Sequence, residues 1–314
     1  MFDQSILEKY IKAKENLEKK ILNLTGVHGI SVGFKTTGGS RTEELAIVVH
    51  VYKKVDAKNL SKENNINELV SSYDVSIASD VVERPLPIEE YLVVSKLQVD
   101  AVPDTAKYRP LKGGCRLAVE DATSYYYGTG GCIAVSGRSD STKSILTNYH
   151  VVKSSQDNFV YQPSVNSTDK IGDVGNTAYT ELVDGAEVTL GSSINSENKI
   201  IDIGSVKGTK APALNDLVEK RGYVTGLTHG KITNVAYSGT SSGGRKFKNQ
   251  VIVSKINSGD PALSGSGDSG SAWVFESEVK VTGLHWGGDG VGNEAYASPI
   301  GDVEAALGVT VATE

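Results

Sequence analysis

From about residue 111 to the C-terminus the chain breaks into short β-type runs, and almost no stretch keeps a helical period. The runs are Cys115–Val119, Gly131–Val135, Ser144–Thr147, Asn158–Gln162, Gly172–Val174, Val188–Leu190, Ile200–Val206, Leu217–Gly222, Lys231–Tyr237, Gln250–Lys255, Ala272–Phe275 and Val279–Trp286, separated by Gly, Asn, Asp and Ser. Only Gly301–Leu307 near the end has a helical pattern. Short strands at regular spacing with turn residues between them predict an all-β barrel or sandwich. The 34 glycines among 314 residues fit such a fold, because tight turns need positive φ.

The first 85 residues follow other rules. Ile6, Leu7, Tyr10, Ile11, Leu17, Ile21 and Leu22 fall at helical spacing among Lys and Glu, which predicts an amphipathic helix over 4–23. Its apolar stripe can cover its own sheet, the commoner outcome, or a second copy of the chain. Gly29–Phe34 and Leu45–Val51 flank a turn-rich segment and read as a β-hairpin. Ser61–Val70 reads as a second helix with Ser61 as its cap, and Val75–Val82 alternates like a strand. The expected organisation is an α+β unit over 1–85, a connector over 86–110 and a β-rich domain over 111–314. Pro85, Pro87, Pro103 and Pro110 mark the connector region.

Charge and composition exclude several function classes. A formal net charge of −6, without basic clusters, disfavours a nucleic-acid partner. No run approaches the roughly 18 apolar residues of a spanning helix, and the N-terminus is charged where a signal peptide is apolar, so the expectation is a soluble, cytoplasmic protein without membrane contact. No His-x-x-x-His, Cys-x-x-Cys or phosphate-binding Gly-x-x-x-x-Gly-Lys spacing occurs, so no metal or cofactor is expected. Cys115 and Cys132 lie in consecutive strands of an expected hairpin; reduced core thiols are favoured over a disulfide.

Three segments carry chemistry. Ile145–Val152 is an apolar strand ending in a polar turn that presents His150; Gly267-Asp268-Ser269-Gly270 places a serine between glycines at the entry to another strand; Asp184 and Asp202 lie between them. A serine hydroxyl becomes a nucleophile when an imidazole takes its proton and a carboxylate fixes the imidazole tautomer. Histidine, aspartate and serine in this order meet that need. The N–H groups of Gly267 and Ser269 would converge on a developing oxyanion, where side chains would obstruct the approach. His229 and His285 read as structural or site-lining residues; His28 and His50 lie in the N-terminal unit.

Leu146–Val152 and Gly267–Ser271 resemble the His and Ser motifs of the chymotrypsin/trypsin-like serine proteases. Arg221–Ile232 resembles a Gly/Thr-rich stretch of bacterial and plant narrow-leaf-type members, and Val281–Gly288 resembles the strand that lies along bound peptide. The resemblance covers about 111–310. It implies a double β-barrel preceded by the small α+β unit, with a protein or peptide substrate, no cofactor, and serine endopeptidase activity through Ser269, His150 and an aspartate. Asp184 is preferred for the spacing it leaves to later strands and for its Asp-Gly-Ala context, while Asp202 in Ile-Asp-Ile-Gly stays open. By the same resemblance, Leu263 lies at the base of the specificity pocket with Trp286 and Gly287 as its walls, implying an apolar or uncharged preference, with Asp260 or Asp289 able to enter from nearby loops. No trypsin-type activating N-terminus is visible, so Asp268 needs a cation such as Arg116, Arg138 or Arg221. The alternative is a silent or latent protease-shaped peptide-binding or assembly protein, with the N-terminal unit regulating it or mediating self-association.

Overall fold

A computed structural model describes residues 4–38, 40–56, 60–97, 104–137 and 142–314. Its helices are α1 (Gln4–Leu22), α2 (Ile66–Tyr73), α3 (Tyr149–Val152) and α4 (Ile300–Leu307). Apart from a 3-10 turn at Lys62–Asn64, the rest of the described regular structure is β, as the sequence predicts from residue 111 onward. Among the described residues no helix is long and apolar enough to cross a membrane.

One sheet runs in the order Val309–Val311, Ile133–Ser136, Lys143–Thr147, Asp184–Leu190, Lys170–Tyr179, Phe159–Tyr161, Cys115–Glu120, Ser124–Gly130 and Leu92–Ser95. Leu117, Ile145, Val160, Ile171 and Val188 from five of these strands meet in one buried cluster, the core of the first barrel. The second barrel is a closed ring: Leu217–Gly222, Ala272–Phe275, Lys280–Gly288, Glu294–Pro299, Lys246–Ser254 and Gly226–Thr240, the last pairing back with the first. Closure runs along part of each strand, and lengths left unpaired in the ring accept Val27–Thr37 and Ile88–Glu89. The expected strand at Ile200–Val206 is instead a hairpin: Ser196–Ile200 and Gly204–Ser205 flank a turn in which Asp202 takes φ 64°. Aspartate tolerates this left-handed conformation better than most residues, and the Ile-Asp-Ile pattern hides the turn.

The N-terminal hairpin, Val27–Thr37 with Ser40–Val51, extends the second barrel's sheet. Its first strand pairs with Gly226–Thr240 through Gly29↔Gly239 and Gly33↔Asn234. Ser79–Glu83 adds in parallel to Ser40–Val51, and α2 makes the crossover. Asn65, not Ser61, caps α2: its Oδ1 accepts from Asn67 N and Glu68 N. The apolar stripe of α1 is buried on this sheet through Leu7, Tyr10, Ala13, Leu17 and Ile21, so it serves its own chain. These residues join Val218, Ile232, Val253 and Trp273 of the second barrel in one continuous apolar cluster. Cys115 and Cys132 are free and buried in different clusters, and burial pushes both thiols up to about 12.

The 86–110 connector, of which 98–103 lie outside the described residues, contributes two short strands. Ile88–Glu89 pairs with Lys280–Gly288 in the second barrel, whereas Leu92–Ser95 pairs with Ser124–Gly130 in the first. The chain therefore crosses from one barrel to the other within residues 89–92.

A shared core predicts shared unfolding. Ile21→Ala, at a fully buried position, should cost about 2–5 kcal/mol. In urea, the helical signal and the Trp273 and Trp286 fluorescence should shift together to a lower midpoint; a helix that melts separately from the tryptophans would show that the two regions do not share a core.

Candidate active site

Strand register brings His150 to Asp184. Lys143–Thr147 pairs with Asp184–Leu190 through Thr147↔Ala186, so α3, which follows the first strand, lies beside the start of the second. Asn148 Nδ2 donates to Asp184 O at 2.6 Å, and His150 N donates to Asp184 Oδ1 at 3.2 Å. His150 Nδ1 donates to Asp184 Oδ2 at 2.7 Å, both side chains fully buried. A carboxylate on Nδ1 holds the ring proton there and leaves Nε2 with a free lone pair. Asp202 instead lies half-exposed, 3.5 Å from Arg221.

The guanidinium of Arg245 also binds Asp184 Oδ2, donates to Thr180 O and Val183 O, and stacks on Tyr179. Burial alone would push the Asp184 carboxyl up, but His150 and Arg245 outweigh it and hold it below the ordinary carboxylate value. Glu89, His150 and Asp184 place ligand-type atoms within 4.8 Å of one another, although Arg245 already supplies positive charge to this cluster.

The serine loop is shaped by a buried ion pair. Lys220 Nζ lies 2.9 Å from Asp268 Oδ2 with both side chains inaccessible to solvent. The same carboxylate accepts from Val224 N, Thr225 N, Gly265 N and Thr225 Oγ1. These partners outweigh the upward push of burial and keep the Asp268 carboxyl below its ordinary value. The cation is therefore Lys220, which reaches Asp268 from the strand Leu217–Gly222. Arg116 is instead bound to Pro163 O and Ser164 Oγ, Arg221 to Gly114 O and Asp104, and Arg138 lies outside the described residues.

Gly267 has φ 115°, and a Cβ there would run into Tyr223 and Val224. Its N–H and that of Ser269 converge on one atom, the carbonyl oxygen of Glu90, at 2.7 and 3.1 Å. Ser269 Oγ accepts from Glu90 N at 3.1 Å and donates to Trp286 O at 2.9 Å. His150 Nε2 is buried and has no hydrogen-bond partner among the described residues, so the Ser269–His150 bond is not made in this arrangement.

Glu90 also fills the adjoining pocket. Its Oε2 accepts from His285 Nε2 at 2.8 Å, both groups buried. A methyl on Gly288 would strike Glu90 Oε1 and lie 2.9 Å from Ser264 Oγ, which places that hydroxyl near the carboxylate. Leu263 is 1% exposed and belongs to the second barrel's apolar cluster, where burial favours it. Trp286 contributes its carbonyl, while its ring stacks on Phe247 at 3.9 Å and Nε1 bonds to Gln250. Gly287 pairs with Glu89, and a Cβ there would meet Ile88 O. Asp260 bonds within its own turn, as does Asp289. His229 is exposed beside Glu276. Glu90, Ser264, Lys220 and Arg245 escaped the sequence reading; the short apolar runs around Glu90 were the available sign that the connector holds a strand.

No known family model matches the sequence, and no curated protein matches it. Solved structures do. One is a glutamic acid specific serine protease described as using a histidine triad in substrate binding: 18% identity, 64% of this chain and 100% of that one, TM-score 0.52. Protease A of Thermobifida fusca gives 19% identity, 65% and 98% coverage, and TM-score 0.51. The Nocardiopsis protease gives 17%, 64%, 98% and 0.51. The chain has the chymotrypsin-like serine-protease fold.

Removing one partner of a buried pair strands the other charge. Lys220→Met should cost about 3–5 kcal/mol near neutral pH. The bound carboxylate titrates below its unfolded value, so its stabilisation is present above about pH 4 and lost as pH falls through the native value. Without Lys220 the deficit should shrink in acid as Asp268 protonates. Denaturation measured across pH checks this; a deficit independent of pH would contradict it.

Proposed function

We propose that the protein is a serine endopeptidase that hydrolyses peptide bonds through an acyl-enzyme. Ser269 is the nucleophile, His150 shuttles its proton, Asp184 orients and stabilises the ring, and the Gly267 and Ser269 N–H groups hold the oxyanion. The observation that carries the reading is the convergence of those two N–H groups on one carbonyl beside Ser269, with the His150–Asp184 pair at the same cleft. Hydrolysis on this plan needs water and no cofactor.

The pocket favours glutamate on the acyl side of the cut. His285 hydrogen-bonds a glutamate carboxylate there, and the similar glutamic acid specific protease is described as using histidines in substrate binding. Burial lowers the His285 pKa more than Glu90 raises it. A neutral ring with its proton on Nε2 can donate to a carboxylate at neutral pH.

A second reading, a latent protease fold held by its own N-terminal region, is supported by Glu90 in the cleft and by the bond of Ser269 Oγ to Trp286 O in place of His150. The two readings meet if the connector must leave before a substrate enters.

Ser269→Ala should abolish covalent labelling by a fluorophosphonate, and Asp184→Asn should lower kcat by about 10⁴-fold by presenting the wrong tautomer. Peptides with Glu before the cut should exceed their Gln counterparts by about 10- to 100-fold in kcat/KM, the scale of one charge-assisted hydrogen bond. Equal rates for Glu and Leu peptides would reject the glutamyl pocket.

A further inference from the structure

Residues 88–92 occupy the cleft in the manner of a substrate. Ile88 and Glu89 add antiparallel to Lys280–Gly288, Glu90 N donates to Trp286 O at 3.2 Å, Glu90 O receives both oxyanion donors, and the Glu90 side chain fills the His285 pocket. Tyr91 then passes to the first barrel, its ring 5.1 Å from that of His150, and Leu92–Ser95 joins that barrel's sheet. The acyl side of the Glu90–Tyr91 bond is thus held by one barrel and the amine side by the other.

We propose that the Glu90–Tyr91 peptide bond is a self-processing site, cut by Ser269 of the same chain. The proposal rests on the endopeptidase reading and adds to it the first substrate and the exact bond. Three features specify this bond. Its carbonyl, alone among those of the connector's described residues, is seated on Gly267 N and Ser269 N. Its acyl-side residue carries the carboxylate that, among the described residues, bonds to His285. Its amide is anchored on both flanks by sheet pairing, so the carbonyl cannot drift from the donors without breaking a strand pair.

The chemistry balances with water as the only co-reactant. Ser269 Oγ leaves Trp286 O, passes its proton to His150 Nε2, which has no other partner among the described residues, and bonds to the Glu90 carbonyl carbon. The C–N bond to Tyr91 breaks as His150 returns that proton to the leaving amine. Water then gives a proton to His150 and its oxygen to the acyl carbon; the ester bond breaks, and the proton returns to Ser269 Oγ. The products are a chain ending in the Glu90 carboxylate and one beginning with the Tyr91 amine. Both stay folded together, because Val27–Thr37 remains paired with Gly226–Thr240. Until it is cut, the chain keeps its own cleft filled, with Ser269 Oγ bonded to Trp286 O.

Incubation of the purified full chain, followed by denaturing mass spectrometry, tests this. The expected products are 1–90 and 91–314, formed at a rate independent of protein concentration, absent in Ser269→Ala and slowed about 10- to 100-fold in Glu90→Gln. A variant with Ile88→Gly and Glu90→Gly, which loosens the connector, separates the two ideas by fluorophosphonate labelling. If that variant is labelled while the native chain stays whole or is cut elsewhere, self-processing is wrong and the endopeptidase stands. If neither protein is labelled nor cut, both fall.

Discussion

The buried pair between Lys220 and Asp268 is the contact on which the site depends. Asp268 lies between the two residues whose N–H groups form the anion-binding corner, and its carboxylate gathers a cation, a hydroxyl and three backbone N–H groups. Charge removed from water is costly, and only this set of partners offsets it. The loop from Gly265 to Ser271 is therefore held in one shape, with Gly267 in a conformation that a side chain would obstruct. Because the cation comes from within the second barrel, that shape needs no charged chain terminus.

The cleft follows from where the barrels meet. Thr129, on the first barrel, donates through N to Ser269 O at 2.8 Å and through Oγ1 to Gly267 O at 3.0 Å, fastening the serine loop to the opposite barrel. His150 and Asp184 come from the first barrel and Ser269 from the second, so their spacing depends on that seam. Neither barrel alone contains the site. The connector lies across the same seam, where unpaired strand edges and the serine-loop N–H groups satisfy its backbone. A segment that reads as a linker from its prolines becomes ordered because it supplies acceptors to donors that would otherwise lack protein partners.

Much of the architecture was legible. Short runs bounded by turn residues mark strands such as Cys115–Glu120, Ala272–Phe275 and Leu217–Gly222, most of whose residues are buried. The stripe on α1 marks its buried face by its helical spacing. Ser124–Gly130 and Glu294–Pro299 were missed, since tyrosines, glycines and small residues blur the alternation there. The hairpin at Asp202 was missed because one left-handed residue reverses a run whose composition still looks extended.

Sequence alone singled out His150, Ser269 and the glycines beside it, since their types and order already carry the chemistry, and favoured Asp184 over Asp202. Tertiary structure decided which carboxylate meets the imidazole, which cation neutralises Asp268, and which side chain meets His285. Those contacts join positions such as Lys220 with Asp268 and Glu90 with His285, far apart along the chain. No local period encodes such pairs. They arise from strand register and barrel closure, which place one side chain against another only after both barrels have formed.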